Sequence, residues 1–287
     1  ARAVRLGQCA ARADTLRRVP DVSAMAAGFV TTIDARGVAT LWLNRPELHN
    51  AFDDALIAAL TAELGRLASD ASVRILVLGG RGKSFSAGAD LNWMKRMAGY
   101  SEAENRRDAD ALANLMRVLD SFPKPTLARV HGAAYGGGVG LVACCDIAFA
   151  SEAAVFCLSE AKLGLIPAVI SPYVVAAMGA RAARRYFLTA ETFDAPTARR
   201  LGLLHEVVAA DALDAAIEAI LVPLLAAGPA AQGECKSLIA RVARGPIDAA
   251  MVDDTAARIA RIRVSPEGRE GIAAFLGKRK PGWSGDA

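Results

Sequence analysis

Three consecutive glycines, Gly136 to Gly138, constrain this chain more than any other stretch. They sit in His131-Gly-Ala-Ala-Tyr-Gly-Gly-Gly-Val-Gly140, after the apolar run Thr126-Leu-Ala-Arg-Val130 and before the small-residue run Leu141-Val-Ala-Cys-Cys145. The pattern reads as strand, glycine turn, helix. Without β-carbons there, a ligand or a second backbone can approach the main chain closely. A helix starting just after them leaves unpaired N–H groups and a positive dipole end facing the turn. Such a pocket stabilises negative charge on oxygen, either a phosphate or a developing oxyanion. For an isolated triplet, a tight turn that merely packs is the competing reading.

A second glycine-bearing turn, Phe85-Ser-Ala-Gly-Ala-Asp90, also follows a strand and precedes a helical piece, marked by Leu91, Met94 and Met97. One backbone N–H from each turn can converge on a single oxygen, which explains small residues at both places. The third feature is Glu160, with Leu158, Leu163, Leu165 and Ile166 around it in sequence. A carboxyl group buried among them would have a raised pKa, as a general acid/base needs. A surface glutamate starting a loop is the alternative.

Elsewhere strands alternate with helices at intervals of about 25–40 residues, the signature of right-handed βαβ units. Val38–Leu43 reads as the first strand, ended by Asn44-Arg45-Pro46. Asp53 caps a helix whose buried stripe is Leu56, Leu60, Leu64 and Leu67. Val73–Leu78 is a nearly continuous apolar strand, as when both faces are covered, and Gly79-Gly80-Arg81-Gly82 turns the chain. A long helix spans 102–119, Asp146–Ala150 is another strand, and Val169–Met178 is a helix. From Ala182 onward the pattern is helical, with Glu206-Val-Val208 the one convincing strand.

With 53% hydrophobic and 22% charged residues in 287, the chain builds a core and is not globally disordered. A net charge of +4 is weak for nucleic acid. The cysteines, Cys9, Cys144, Cys145, Cys157 and Cys235, have no metal-ligand spacing and read as small buried residues of a reducing, cytoplasmic protein. No transmembrane span is expected, since the weakly charged window 132–150 is broken by glycines and Asp146. Residues 1–28 read as a disordered or non-native leader without a secretory h-region.

Taken together, Leu43-Asn-Arg-Pro-Glu-Leu-His-Asn-Ala51, Phe85–Leu91, the glycine triplet with Cys145-Asp-Ile147, Ser159-Glu160 with Leu163–Pro167, and Ser265-Pro-Glu-Gly-Arg-Glu-Gly271 resemble the crotonase (enoyl-CoA hydratase/isomerase) family over about residues 29–283. The resemblance implies an α/β fold, a spiral of ββα units over 29–225. A helical oligomerisation region over 226–287 would form a homotrimer or a hexamer, a dimer of trimers. It implies an acyl-CoA substrate, with coenzyme A arriving as part of that substrate and no separate cofactor. The family's oxyanion donors fall on the amides of Ala89 and Gly137, and its acid/base falls on Glu160. Ala87, Ala89, Asp90, Leu91 and Asn92 would contact the CoA moiety, with Phe275 and Lys278 contributing from a neighbouring subunit.

The chain departs from the family pattern at Gly140, where typical hydratases carry a first glutamate, and after Pro167, where Ala168-Val-Ile-Ser-Pro-Tyr173 replaces glycines. A lone glutamate permits hydration of a 2-enoyl-CoA or isomerisation of a 3-enoyl-CoA. The wording of the motifs is most similar to the bacterial methylglutaconyl-CoA hydratase branch, which favours hydration. Lys95, Arg96 and Lys162 are candidates to meet a substrate carboxylate, with solvated surface roles as the alternative for each. A CoA- or RNA-binding relative without catalysis is the reading from another class. His49 and His131 match structural positions, and His205 reads as a helix-end residue.

Overall fold

The chain winds in repeated strand–strand–helix turns, each laying its first strand in one sheet and its second in another. The computed structural model describes residues 28–243 and 245–284; the expected leader, but for Gly28, lies outside them, as does Cys9. A hairpin of β1 (Phe29–Ile33) and β2 (Val38–Leu43) leads into helix α1 (Asp54–Ser69). Three full turns follow. The first is β3 (Ile75–Gly80), β4 (Ser84–Ser86), then α2 (Leu91–Met97) and α3 (Glu102–Asp120). The second is β5 (Thr126–Val130), β6 (Ala133–Tyr135) and α4 (Gly137–Cys144). The third is β7 (Ile147–Ser151), β8 (Val155–Cys157), a 3-10 turn over Ser159–Leu163 and α5 (Ser171–Thr189).

After α5 come β9 (Thr192–Asp194), α6 (Ala195–Arg200) and β10 (Glu206–Val208). Four helices finish the chain: α7 (Leu213–Ala226), α8 (Pro229–Val242), α9 (Ala249–Arg263) and α10 (Pro266–Leu276). One sheet has six strands in the order β1-β2-β3-β5-β7-β10, parallel except for the hairpin; the other has four, β4-β6-β8-β9. This is the expected spiral of ββα units.

Both faces of the larger sheet are covered, which is why its strands read as continuous apolar runs. Leu76, Leu78, Ala128 and Val130 face the main core, where the α1 stripe Leu56, Leu60, Leu64 and Leu67 is buried as expected. Ile75, Val77, Leu127 and Phe149 face the other way, against Leu213, Ile217 and Leu221 of α7. Lys236 of α8 ties the later helices to this frame, donating to Asp146 Oδ2 (2.6 Å) and Lys124 O (3.1 Å).

Several elements differ from the sequence reading. Gly79 and Gly80 belong to β3 rather than to the turn after it. A β-carbon on Gly79 would lie 2.6 Å from the Trp42 ring, so glycine here makes room across the sheet instead of bending the chain. The short strands β1, β4, β6 and β9 were not expected; they exist because they pair, not because they are apolar. Helix α5 runs on to Thr189 across a break at Gly179. His205 is not at a helix end but docks on β7, donating its N–H to Ala148 O (2.8 Å) and accepting from Ala148 N at Nδ1 (3.1 Å). Cys144, Cys145 and Cys157 are buried as expected, whereas Cys235 is exposed.

Candidate active site

The turn before α2 is held by residues upstream of α1. Asn50 is fully buried and donates from Nδ2 to Arg81 O (2.9 Å), Ser84 O (2.8 Å) and Phe85 O (3.2 Å), while accepting from Arg45 N (2.8 Å). Ser86 Oγ donates back to Asn50 O (2.9 Å). Replacing Asn50 by alanine leaves buried carbonyls without donors, so we expect a loss of about 2–3 kcal/mol in chemical denaturation together with reduced turnover. Two further bonds, Phe52 N to Gly88 O and Asp90 N to Phe52 O, both 2.7 Å, form a one-residue parallel bridge between Phe52 and Ala89. The bridge uses the carbonyl before Ala89 and the amide after it. The N–H of Ala89 itself points the other way and has no acceptor among the described residues.

The glycine triplet meets a different neighbour at each position. Gly136 adopts φ +50°, donates to Cys157 O (2.9 Å), and would bring a β-carbon to 3.0 Å from Glu160 Oε1. A β-carbon on Gly137 would lie 2.7 Å from Phe52 Cε2, and one on Gly138 2.6 Å from Ser86 O. The triplet is therefore more than a flexible turn: close approaches at Gly137 and Gly138, and the positive φ of Gly136, disfavour side chains. Gly137 opens α4, and its amide likewise has no acceptor among the described residues. The two turns touch, since a β-carbon on Gly88 (φ +85°) would come within 3.0 Å of Tyr135 O. Ala89 and Gly137 are both only partly buried.

Glu160 stands on the 3-10 turn after β8, beside the Gly136 bend. Its Oε2 is buried without a hydrogen-bond partner, and burial raises its pKa above the usual carboxylate range. The cause differs from the sequence expectation. Leu158 is buried, but Leu163, Leu165 and Ile166 are exposed, so the glycine turn and its surroundings dry the carboxyl group rather than that leucine-rich loop.

The structure thus brings together Ala89, Gly137 and Glu160. Ala87 is half-buried at the same turn, and Leu91 and Asn92 are exposed at the start of α2. The Asp90 carboxylate is turned inward as the cap of α2, accepting from Asn92 N (2.8 Å) and Trp93 N (3.1 Å), while its N–H is spent on Phe52 O and its carbonyl accepts from Met94 N (2.9 Å). Phe275 and Lys278 lie at the exposed end of α10, which packs mainly on α8 and α9, apart from this cluster. Arg96 pairs with Asp54 (2.6 Å). His49 and His131 bond to Ser84 Oγ (3.0 Å) and Gly82 O (2.9 Å), holding turns as expected. Asn50 and Phe52 carry no signal in the sequence beyond their motif or apolar character, and Ile170, which lies over Gly140, shows there only as part of the departure after Pro167. Among the described residues no three His, Cys, Asp or Glu side chains cluster to hold a metal ion, and no helix is long and apolar enough to cross a membrane.

Two unpaired main-chain N–H groups on touching turns, beside one dry carboxyl group, can polarise a carbonyl and move a proton at a neighbouring carbon. Residues 34–286 match the family model described as enoyl-CoA hydratase/isomerase. An enoyl-CoA hydratase of Alternaria alternata is 37% identical over 247 residues, covering 85% of this chain and 80% of that protein. A 1,2-epoxyphenylacetyl-CoA isomerase of Escherichia coli is 31% identical over 260 residues, 90% of this chain and 98% of that one. The crystal structure of an enoyl-CoA hydratase from Shewanella pealeana, 50% identical, superposes with a TM-score of 0.87 over 89% of this chain and 96% of its own. On this evidence the chain belongs to the enoyl-CoA hydratase/isomerase family.

Proposed function

We propose that this family member is a hydratase that adds water across the 2,3 double bond of an enoyl-CoA, with a branched, carboxylate-ended acyl group such as 3-methylglutaconyl as its preferred cargo. The observation that carries the reading is the buried, unpartnered Oε2 of Glu160 beside a turn whose Gly137 amide is free. As carboxylate, Glu160 accepts a proton from water while the water oxygen bonds to Cβ. The double-bond electrons move onto the thioester oxygen, and the amides of Ala89 and Gly137 hold the resulting enolate. The Glu160 carboxyl group then returns the proton to Cα, and the thioester carbonyl re-forms. Ala87, Asp90, Leu91 and Asn92 would contact the CoA moiety, with Phe275 and Lys278 serving the site of a neighbouring subunit in a trimer or hexamer.

The isomerase reading uses the same three groups. It draws support from Gly140, which adds no second carboxylate to hold a water. Glu160 would then carry one proton between C2 and C4 of a 3-enoyl-CoA. Assays of crotonyl-CoA and 3-methylglutaconyl-CoA hydration beside 3-enoyl-CoA isomerisation separate the two; isomerisation without hydration would replace the first reading by the second.

Because burial raises the Glu160 pKa and the base must be ionised, kcat/KM should fall on the acid side through a pKa above the ordinary glutamate range. A pH–rate profile checks this. An acid limb in the usual carboxylate range would show that the carboxyl group is not dry when it works.

A further inference from the structure

The helix after the oxyanion turn carries a lock that the sequence shows only as two unrelated departures. Gly140 N bonds to Gly136 O (3.2 Å), so position 140 stands one turn beyond the residue that Glu160 Oε1 abuts. A β-carbon on Gly140 would overlap Ile170 Cγ2 outright, lie 2.9 Å from Ile170 Cβ, and approach Met116 Cε at 3.3 Å. Ile170 cannot swing away, being 3% exposed and part of the main core. It sits at the start of α5, ten residues after Glu160 on the same connection. Glu160 and Ile170, from the same connection, therefore bear on the two ends of the first turn of α4, the carboxyl group at Gly136 and the isoleucine at Gly140. Met116 closes the far side, and Cys144, whose thiol burial pushes well up, bonds to its sulfur.

We propose that Ile170 is the specificity-determining residue of this site. It presents hydrocarbon to the acyl chain beside Glu160 and, interlocked with Gly140, holds the pocket to a single carboxylate. The proposal rests on the acyl-CoA reading above and deepens it. Any side chain at position 140 must emerge into the space Ile170 fills, so a carboxylate is admissible there only when residue 170 is cut back. Conversely, trimming residue 170 alone opens a lateral space beside the reacting carbons. Bulkier acyl groups gain from that space, while a four-carbon chain loses its wall.

The test uses the full chain as wild type, Ile170→Ala, Ile170→Val, Gly140→Glu and the Gly140→Glu/Ile170→Ala double variant. Thermal melting is measured on each, together with kcat/KM and Kd for crotonyl-CoA and 2-octenoyl-CoA. Ile170→Ala should shift the octenoyl-to-crotonyl preference by about tenfold or more, the scale set by a methylene or two in an apolar pocket, with Ile170→Val shifting it less in the same direction. Gly140→Glu should melt well below wild type, and the double variant should melt above Gly140→Glu. An unchanged preference in folded Ile170→Ala, or Ile170→Val should the alanine variant not fold, overturns the acyl contact. A double variant that melts no higher than Gly140→Glu overturns the interlock. Should wild type turn over neither ester, the Kd ratios and the melting cycle still decide the role of Ile170, and the hydratase reading is decided separately by hydration of 3-methylglutaconyl-CoA.

Discussion

Glu160→Gln is expected to lower turnover of any enoyl-CoA by about 10²–10⁴-fold while acyl-CoA binding persists, because it removes the proton-moving group and leaves both amides in place. The same change should stabilise the protein. The folded state holds a proton on Glu160 at pH values where the unfolded chain has already released it, because burial raises the folded pKa. Stability therefore falls as pH rises through the unfolded glutamate value, and levels off above the folded one. Glutamine carries no such dependence. The variant should match wild type at acid pH and melt above it near neutrality. Kinetics and melting across pH check both halves. Wild-type turnover would remove Glu160 from the chemistry, and a variant that melts lower near neutrality would show that the carboxyl group supports the fold.

The second large effect is expected at Gly137. Alanine there would bring its β-carbon to 2.7 Å from Phe52 Cε2, and Phe52 is 1% exposed with no room to retreat. The peptide must shift instead, carrying its free amide away from the thioester oxygen. Loss of one oxyanion donor costs about 10²–10³ in kcat, and overpacking adds about 1–3 kcal/mol of destabilisation. The signature is a fall in kcat with little change in Kd for the substrate, measured below the melting range. A folded Gly137→Ala protein with wild-type kcat would show that this amide does not serve the reaction.

What was legible in the sequence was whatever one residue type enforces locally. Asp53 accepts from Leu56 N as the expected cap, and the α1 leucines face the core as their spacing requires. Both glycine turns precede helices as read. Misreadings arose where the cause lies across space. Gly79-Gly80 carries the local mark of a turn, yet Trp42 on the neighbouring strand decides its conformation. β4 and β6 are three residues each and owe their form to partners about fifty residues away. The dryness of Glu160 was anticipated from leucines that turn out to face solvent. Gly140 and Ile170 were each visible as departures, but only contact between them shows one fact instead of two.

Phe52 reaches the two turns in different ways: its peptide is stitched to Gly88 and Asp90, and its ring bears on Gly137. The amides of Ala89 and Gly137 therefore behave like the jaws of a caliper riveted at one phenylalanine. Breathing of the outer helices can carry both jaws along, and a change that unseats the rivet should alter the gap between them.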